Sequence, residues 1–401
     1  LARARSLLLD KQAPAGTQRE ERPPTSIASA ISRDTESNFV LISTPGDYAA
    51  SEAMKALKQG LNVMLFSDNV SEKDEIELKQ YGRKHDLLVM GPDCGTAIIN
   101  GVPLAFANVV KRGTIGVVAA SGTGLQQVTS LIDRYGMGVS QAIGTGGHDL
   151  HESVGGITML QAFDALHDDP GTDIIVLVSK PPAPSVAKKI TKIAGDSKKP
   201  VIINFLKPDG VRRSDGNIHL VKTLEDAARA AVAIARGEKL AAVPTVPDTI
   251  ASELKAKSKR LGSGRYVRGL FSGGTFCYEA LILFSEVIGP AYSNIAIDSK
   301  YKLDDVWQSR EHCMVDLGDD DFTRGRPHPM IDHRLRNERI IKEAEDPETA
   351  VILLDIVLGY GSHPDPATEM TPALAAALAA ALAPALAPAL APARKAAGDR
   401  E

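Results

Sequence analysis

The stretch Gly116-Val-Val-Ala-Ala-Ser-Gly-Thr-Gly-Leu-Gln-Gln, residues 116–127, carries the clearest structural signal in the chain. Residues 115–119 form a short, β-branched, apolar run, which is typical of a strand buried on both faces of a sheet. A Ser-Gly-Thr-Gly turn follows at once, and apolar residues then recur at helical spacing. The stretch therefore predicts a buried strand, a tight glycine turn and the first turns of a helix.

The glycine turn is a predicted anion site. The first turn of a helix has unpaired N–H groups and carries roughly half a positive charge. Because glycine lets an oxyanion approach the backbone and two hydroxyls add donors, the predicted phosphate cradle comprises Ser121, Gly122, Thr123 and Gly124. The alternative interpretation is a simple N-cap where the strand and the helix pack closely together.

Length, charge and cysteine content restrict the class of protein. A chain of 401 residues has room for roughly two or three domains, and 46 basic against 50 acidic side chains, a net charge of -4, offer no electrostatic surface for nucleic acid. The three cysteines are far apart and lack metal-site spacing, which suits a reducing cytoplasm. We expect a cytoplasmic protein without a signal peptide, with no bound metal and no membrane or nucleic-acid partner. The initial Leu1 suggests a fragment or a processed product.

From Phe39 onward, predicted strands alternate with predicted helices, which favours an α/β fold with parallel sheets. Ligands of such sheets bind at the carboxyl ends of the strands. Lys180 follows a predicted core strand at that edge, where its ammonium group can meet an anion. Two loops at the same edge are predicted to line the substrate site, and they contain Pro92, Asp93, Gly144, Gly146, Gly147 and Asp149.

A second copy of the opening pattern follows later in the chain. Residues 267–271 form another apolar strand pattern, and a second glycine turn comprises Ser272, Gly273, Gly274 and Thr275. If the two similar units pack face to face, two helix N-termini point at one place. Each terminus contributes about 0.3–1 kcal/mol to anion binding when exposed and up to ~2 when partly buried. The repeat therefore predicts one phosphate site shared by both turns.

Residues 319–332 combine arginines, a histidine and aspartates. Arg324 and Arg326 suit a carboxylate or phosphate, and His328 can serve as an acid or base near neutral pH. The predicted catalytic residues are therefore His328, Arg326 and Lys180, with Arg324 in the substrate loop. The alternative is a tight loop in which the arginines pair with nearby aspartates.

Several motifs resemble the α subunit of succinyl-CoA synthetase and other NDP-forming acyl-CoA synthetases, namely Gly91-Pro-Asp-Cys, Gly113-Thr-Ile-Gly-Val-Val-Ala-Ala-Ser-Gly-Thr, Gly144-Thr-Gly-Gly-His-Asp and Asp169-Pro-Gly-Thr-Asp-Ile-Ile. Ser272-Gly-Gly-Thr and Asp316-Leu-Gly-Asp-Asp-Asp-Phe-Thr resemble the ligase segment of the β subunit. Phe66-Ser-Asp-Asn-Val, Ser179-Lys-Pro-Pro and Gly325-Arg-Pro-His-Pro-Met-Ile-Asp are similar to the FdrA proteins. The resemblance covers about residues 39–366.

The resemblance implies a partial Rossmann-like domain of CoA-binding type followed by two flavodoxin-like ligase domains. The predicted segments are a tail and linker at 1–37, a CoA-binding-like Rossmann half at 38–112, a first ligase domain at 113–240, a linker at 241–264, a second ligase domain at 265–366, and an Ala/Leu/Pro-rich tail at 367–401. The resemblance implies a truncated second ligase domain, because FdrA proteins continue with another strand and helix.

The resemblance also implies a function. In the synthetases, two helix N-termini hold the phosphate of a phosphohistidine, and that histidine lies in a Gly-His-Ala-Gly stretch. No such stretch follows residues 201–205 in this sequence. The sequence also lacks an ATP-grasp segment. FdrA-type proteins are linked to oxamate carbamoyltransferase, so we expect a carbamoyltransferase component that binds carbamoyl phosphate. The alternatives are a subunit of an NDP-forming acyl-CoA synthetase and a non-catalytic anion- or CoA-binding scaffold. CoA is a possible cofactor, and partner subunits or a homo-oligomer are expected.

Overall fold

The computed structural model describes residues 23–207, 209–210, 212–240, 247–258 and 264–380. The chain divides into two compact units, Leu1–Asn38 and Phe39–Glu401. In the first unit, the short helix α1 (Ile27–Ile31) begins after Ser26, whose hydroxyl accepts a hydrogen bond from the Ser29 N–H. Everything below concerns the second unit.

Strands and helices alternate through the second unit. Its strands are β1 (Phe39–Ile42), β2 (Asn62–Leu65), β3 (Val89–Met90), β4 (Thr96–Ile99), β5 (Val102–Ala105), β6 (Arg112–Ala120), β7 (Val139–Gly144), β8 (Ile174–Ser179), β9 (Val201–Phe205), β10 (Arg213–Asp215), β11 (Ile218–Leu220), β12 (Tyr266–Phe271), β13 (Cys313–Asp316) and β14 (Thr349–Leu354). Its helices are α2 (Gly46–Lys58), α3 (Glu72–Lys84), α4 (Gly122–Arg134), α5 (Ile157–Asp168), α6 (Pro184–Gly195), α7 (Leu224–Ala235), α8 (Asp248–Ser258), α9 (Gly274–Val287), α10 (Asp320–Thr323), α11 (Arg334–Glu345) and α12 (residues 366–380), with a 3-10 turn at Ser299–Tyr301.

The strands form three sheets. Two have three strands each, in the orders β1-β2-β3 and β13-β12-β14, and all of their pairs are parallel. The central sheet has eight strands in the order β10-β11-β9-β8-β6-β7-β4-β5. Its five inner strands from β11 to β7 are parallel; the antiparallel strand β10 lies at one margin, and the antiparallel β4–β5 hairpin lies at the other. The predicted α/β class with parallel-sheet domains is confirmed.

The core lies on both faces of the central sheet. Val117 and Val176 pack with α4 and α7 on one face, whereas Val118 and Leu177 pack with α5 and α6 on the other. Every residue of β8 is buried, which explains its continuous apolar sequence, since helices cover both sides.

The central sheet crosses one of the predicted domain boundaries. The β4–β5 hairpin lies before residue 112, yet Ile98 of β4 pairs with Ala142 of β7. The division at residue 112 therefore cuts through a sheet, and the domain limits stay a prediction. Parts of the predicted tails and linker lie outside the described residues, namely 1–22, 241–246, 259–263 and 381–401.

A strap of backbone contacts joins distant parts of the second unit; we define it as residues 105–108 together with residues 358–361. The Tyr360 N–H donates to the Ala107 carbonyl at 2.9 Å, and the Asn108 side-chain amide donates to the Leu358 carbonyl at 3.0 Å. The strap thus connects the hairpin side of the central sheet with the segment that follows β14. Within the described part of the chain, none of the helices has the length and apolar character needed to cross a bilayer.

Candidate functional site

The first glycine elbow joins β6 to α4. Ser121 is the N-cap of α4 in an extended conformation, and its hydroxyl accepts a hydrogen bond from the Gly124 N–H at 2.8 Å. A Cβ added at Gly124 would lie 2.4 Å from the Ser121 hydroxyl, so glycine permits this close cap. A Cβ at Gly122 would meet nothing within 4 Å, so the backbone there borders open space.

The second glycine elbow joins β12 to α9. Its N-cap is Gly273, which has no side chain to cap the helix. Ser272, one residue earlier, is fully buried and directed elsewhere. Among the described residues, no hydrogen-bond partner is recorded for the first two helical N–H groups of either elbow, those of Gly122, Thr123, Gly274 and Thr275. These are the donors that an anion at a helix N-terminus uses.

The two elbows meet, as the internal repeat predicts. The Ser121 and Thr275 hydroxyls share a hydrogen bond of 2.5 Å, and both residues are buried. On the other side of the junction, a Cβ added at Gly273 would lie 2.4 Å from Cγ2 of Thr123. The threonine of each elbow therefore packs against the cap residue of the other. The positive ends of two helices thus converge at one place.

Ser272 is held by a buried ion pair instead of facing the junction. Its N–H and its hydroxyl both donate to the Asp355 carboxylate, at 2.9 Å and 2.8 Å to Oδ1. Arg336 Nη1 donates to the Ser272 hydroxyl at 2.8 Å and lies 2.6 Å from Asp355 Oδ1. Since its polar atoms are engaged, Ser272 offers no donor to a ligand, and this corrects its predicted place in the cradle.

Two carboxyl groups with raised pKa values lie near Lys180. Burial raises the pKa of Asp316 to about 7, although the Lys180 ammonium opposes the rise. Burial, together with the charge of Asp68, raises the pKa of Asp93 to about 6, again against Lys180. Asp93 is closely surrounded by protein but keeps solvent contact, so water moderates its rise. Asp316 adjoins the second elbow, because a Cβ at Gly274 would lie 2.7 Å from its Oδ2.

His328 lies beside this group in a neutral form. Burial lowers the pKa of His328 to about 4, so the predicted titration near neutral pH is corrected. Its Nδ1 accepts a hydrogen bond from the Met330 N–H at 3.2 Å, which leaves the proton on Nε2. A Cβ added at Gly318 would lie 3.0 Å from that Nε2. His328 can therefore donate a hydrogen bond from Nε2, but its neutral ring does not serve as a general acid at pH 7.

The two predicted arginines are exposed, and they make different contacts. The Arg326 guanidinium stacks over Trp307, with its carbon 5.1 Å from the ring centroid. Arg324 lies close enough to oppose the burial-driven rise in the pKa of Asp320. The structure thus places Arg326 on an aromatic surface, and its catalytic role stays a prediction.

The predicted substrate loops pack against each other. A Cβ added at Gly146 would lie 2.3 Å from the Pro92 carbonyl, and one at Gly147 would lie 3.6 Å from Asp93 Oδ2. Asp149 is fully buried, pairs with Lys79 at 2.8 Å and accepts from the first N–H groups of α5. Gly144 contacts Cys94, since its Cβ would lie 2.7 Å from the sulfur. Asp149 therefore has a structural role, and this corrects its assignment to substrate.

Sequence reasoning missed three residues of the site: Asp316, Asp355 and Arg336. A signal existed for the two aspartates, because each ends an apolar strand pattern at the carboxyl edge of a sheet. Arg336 gave no local signal, since it lies within a charged helix and is fully buried only by tertiary packing.

Two family models match the chain. The model described as CoA binding domain matches residues 110–206, and the model described as CoA-ligase matches residues 270–387. The first matched segment contains the elbow at Ser121, and the second contains the elbow at Gly273.

Among curated proteins, YahF from Escherichia coli is 48% identical over 342 residues, which cover 85% of this chain and 66% of YahF. The subunit alpha of succinate–CoA ligase (ADP-forming) from Aquifex aeolicus is 30% identical over 154 residues, covering 37% of this chain and 49% of that subunit. A solved structure of ATP citrate lyase from Methanothrix soehngenii, in complex with citrate and coenzyme A, aligns with a TM-score of 0.43 at 16% identity, covering 57% of this chain and 45% of that one.

The chain spans 66% of the length of YahF and about half of the ligase subunit. The two family models cover the glycine turns of both elbows. The chain is therefore an FdrA-like homologue of YahF, and the segments that match the CoA binding domain model and the CoA-ligase model each carry one elbow.

Proposed function

We propose that this chain is a subunit of CoA-ligase type that binds the phosphoryl group of an acyl phosphate where its two elbows meet. The observation that carries the proposal is the 2.5 Å contact between the Ser121 and Thr275 hydroxyls, which brings two helix N-termini together. Four N–H groups without recorded partners in the described chain adjoin that contact. A multiply charged oxyanion is the ligand that such an arrangement stabilises most.

Lys180 and Asp316 give this site its proposed chemistry. The Lys180 ammonium acts on both Asp93 and Asp316, so it lies where it can attract an anion. Asp316, with a pKa of about 7, exchanges a proton readily near neutral pH. His328 supplies a neutral N–H donor. In this proposal Lys180 orients the acyl phosphate, and Asp316 takes the proton of the attacking nucleophile.

The finer proposal is carbamoyl transfer between carbamoyl phosphate and oxamate. The amide nitrogen of oxamate attacks the carbamoyl carbon, the bond from that carbon to the phosphate oxygen breaks, and the nitrogen loses a proton to Asp316. Oxalurate and phosphate are the products. The absence of a Gly-His-Ala-Gly stretch from the sequence supports this version, because the phosphate then arrives with the substrate.

The second candidate is an acyl-CoA ligase subunit, in which the CoA thiolate attacks the acyl carbon instead. The CoA-binding and CoA-ligase family models favour it, and so does the similarity to succinate–CoA ligase subunits. Both candidates share the acyl phosphate and differ in the acceptor. Partner subunits belong to both proposals.

One experiment tests the shared site and separates the acceptors. The full chain, alone and with candidate partner subunits, is given carbamoyl phosphate with oxamate, or succinyl phosphate with CoA, and oxalurate or acyl-CoA is measured. Thr275→Val removes the hydroxyl that bonds Ser121, whereas Thr275→Ser keeps it. We expect Thr275→Val to reduce turnover about 10-fold or more and Thr275→Ser to retain most of the turnover. Turnover by neither acceptor pair in any mixture, or equal turnover by both variants, overturns the proposal.

A further inference from the structure

A second cluster of polar side chains lies on elements that the elbows do not use. It consists of His333, His363 and Glu369, and their nearest ligand-type atoms all lie within 4.8 Å of one another. His363 Nε2 is 3.0 Å from Glu369 Oε2, and the His333 and His363 rings lie 5.4 Å apart between centroids. Two imidazoles and a carboxylate in one small volume form a typical ligand set for a transition metal.

Three separate segments are fixed around this cluster. His333 is the residue immediately before α11, and His363 donates its backbone N–H to the Met330 carbonyl at 2.8 Å. Asn337 donates to the Glu369 carbonyl at 3.1 Å, which ties α11 to α12. The ligand-type atoms are therefore held together by the backbone and do not depend on chance side-chain positions.

His333 is the observation that points to a ligand. Its side chain is 2% exposed, and neither ring nitrogen makes a hydrogen bond of good geometry in the described chain, although the Pro329 carbonyl lies near the ring. A buried polar group without a well-formed hydrogen bond is costly, by about 1–3 kcal/mol, and a bound ion removes that cost.

We propose that His333, His363 and Glu369 bind a divalent transition-metal ion, with Zn²⁺ as the best fit. Two ligand atoms on tetrahedral zinc lie about 3.3 Å apart, close to the 3.0 Å between His363 and Glu369. The widest separation in the cluster, up to 4.8 Å, must shorten by about 1.5 Å, so His333 must approach the other two ligands. Three protein ligands leave a fourth position for water, and His363 and Glu369 are each about a quarter exposed, which gives the ion an entry path. Nitrogen ligands exclude Mg²⁺ as the preferred ion.

Two neighbouring groups bear on this assignment. His363 Nδ1 accepts a hydrogen bond from the Asp365 N–H at 3.1 Å, so its proton is on Nε2 in the metal-free form. On binding, the ring carries that proton on Nδ1 and the contact with Asp365 opens. The positive charge of Arg336 is balanced by Asp355 at 2.6 Å, which reduces its repulsion of the ion.

A metal at this place would stabilise the second elbow through the residues that hold it. Arg336 lies one helical turn after His333 and holds the Ser272 hydroxyl. His363 is tied to Met330, which neighbours His328 on the opposite side of the loop. The ion is therefore proposed as a structural support that stabilises the fold, independently of which acyl phosphate the elbows bind.

The test uses the full chain without an affinity tag, titrated with Co²⁺ and Zn²⁺ and with Mg²⁺ as the negative control. Co²⁺ absorption reports coordination geometry, and elemental analysis gives the zinc content. We expect about one ion per chain, tetrahedral Co²⁺ bands and a raised melting temperature. His363→Gln, His333→Asn and Glu369→Gln should each weaken binding about 100-fold or more, in line with the loss of a direct ligand.

His151→Gln is the matched control, because His151 is an exposed histidine beside a carboxylate, 3.7 Å from Glu72. It should bind the metal like the parent chain. Circular dichroism establishes that each variant is folded, and Glu369→Gln, on a partly exposed helix, is the mildest change. Uptake that is unchanged in all three variants, uptake lost equally in the control, or no uptake by the parent chain overturns the proposal.

Discussion

The two elbows share one backbone plan but differ in their surroundings. Their N-caps, Ser121 and Gly273, occupy equivalent positions, and so do the threonines two residues later. Hydrogen bonds from Thr145 N–H to the Ala119 carbonyl and from Leu317 N–H to the Phe271 carbonyl support the same alignment. The serines that make the repeat visible in the sequence are therefore not equivalent, because Ser272 precedes its N-cap by one residue.

This alignment shows where the two repeats, built on β6 and on β12, diverge chemically. Ala119 pairs with Gly144 on one side and Val178 on the other. Phe271 pairs with Asp316, and Asp355 follows the last residue of β14 that pairs with β12. The second repeat therefore has two carboxylates where the first has apolar or absent side chains. The first repeat provides the capping hydroxyl and Lys180. One scaffold used twice thus brings complementary groups to one junction.

The sheets that carry the two elbows also differ in how well neighbouring strands and helices cover them. All residues of β8 in the first repeat are buried. Its counterpart β14 leaves Val351 and Leu353 39% and 42% exposed. β9 pairs with the outer edge of β8, whereas no strand pairs with the outer edge of β14 in the described chain. The second elbow therefore depends more on its polar contacts than the first does. The predictions below challenge that difference, beginning with the largest effect.

Removing the charge that holds the second elbow should have the largest effect. Asp355→Asn leaves Arg336, which is fully buried, without its counter-charge at 2.6 Å. We expect a loss of about 3–5 kcal/mol in the free energy of unfolding, measured with urea. The control is Glu52→Gln, which breaks the exposed pair with Lys55 and should cost less than about 1 kcal/mol. Similar losses in the two variants would contradict the dependence of this elbow on its ion pair.

Adding one methyl group to each elbow compares their packing directly. Gly273→Ala places a Cβ 2.4 Å from Thr123, whereas Gly122→Ala places one in open space. We expect Gly273→Ala to lower the free energy of unfolding by about 1–3 kcal/mol, as overpacking does. Gly122→Ala should be neutral or slightly stabilising, by up to about 1 kcal/mol. If urea unfolding shows equal effects, the elbows are not packed against each other.

Asp316 should make stability fall as pH rises. Its folded-state pKa, about 7, lies above its ordinary value of 3.8, so the folded protein binds more protons between those pH values. The free energy of unfolding therefore decreases with pH in that window, by at most roughly 1.4 kcal/mol for each pH unit. Asp316→Asn should flatten this slope. The slope is obtained from the free energy of unfolding measured with urea at about pH 5, 6 and 7. An unchanged slope would show that Asp316 is not buried beside the elbow.

The smallest effect is expected at His148. Hydrogen bonding to Glu75 raises the pKa of His148, so the protonated ring stabilises the fold. That contribution is complete below the ordinary pKa of 6.5 and is lost as pH rises through the raised value. Because the side chain is about half exposed, His148→Asn should cost only a few tenths of a kcal/mol in acid and nothing in alkali. An equal cost at both ends of the range would exclude the charge as its source.

Local signals made the elbows predictable. A buried strand, a small-residue turn and a helical pattern lie within a dozen residues, so the physics that forms them is also local. The β4–β5 hairpin was missed although Asn100-Gly101 is a strong hairpin signal, and both residues have positive φ. Its strands are only four residues long, which conceals their alternation.

The properties set by burial could not be read from the sequence. The pKa of His328 depends on packing by Phe106 and other distant residues, with the two rings 5.5 Å apart. The Ser272 hydroxyl donates its hydrogen bond to Asp355, which lies 83 positions away in the sequence. Pattern matching aligns letters, whereas the role of each letter depends on which partners tertiary structure brings to it.

The strap has a consequence for how the protein is made. It joins backbone and side-chain groups 250 positions apart, from Asn108 to Leu358, so it closes only after both repeats have been synthesised. Contacts of such long range form late, because loop-closure entropy must be overcome first. The first repeat therefore leaves the ribosome with the Ser121 cap exposed, and the junction between the two elbows forms only after the second repeat has been made.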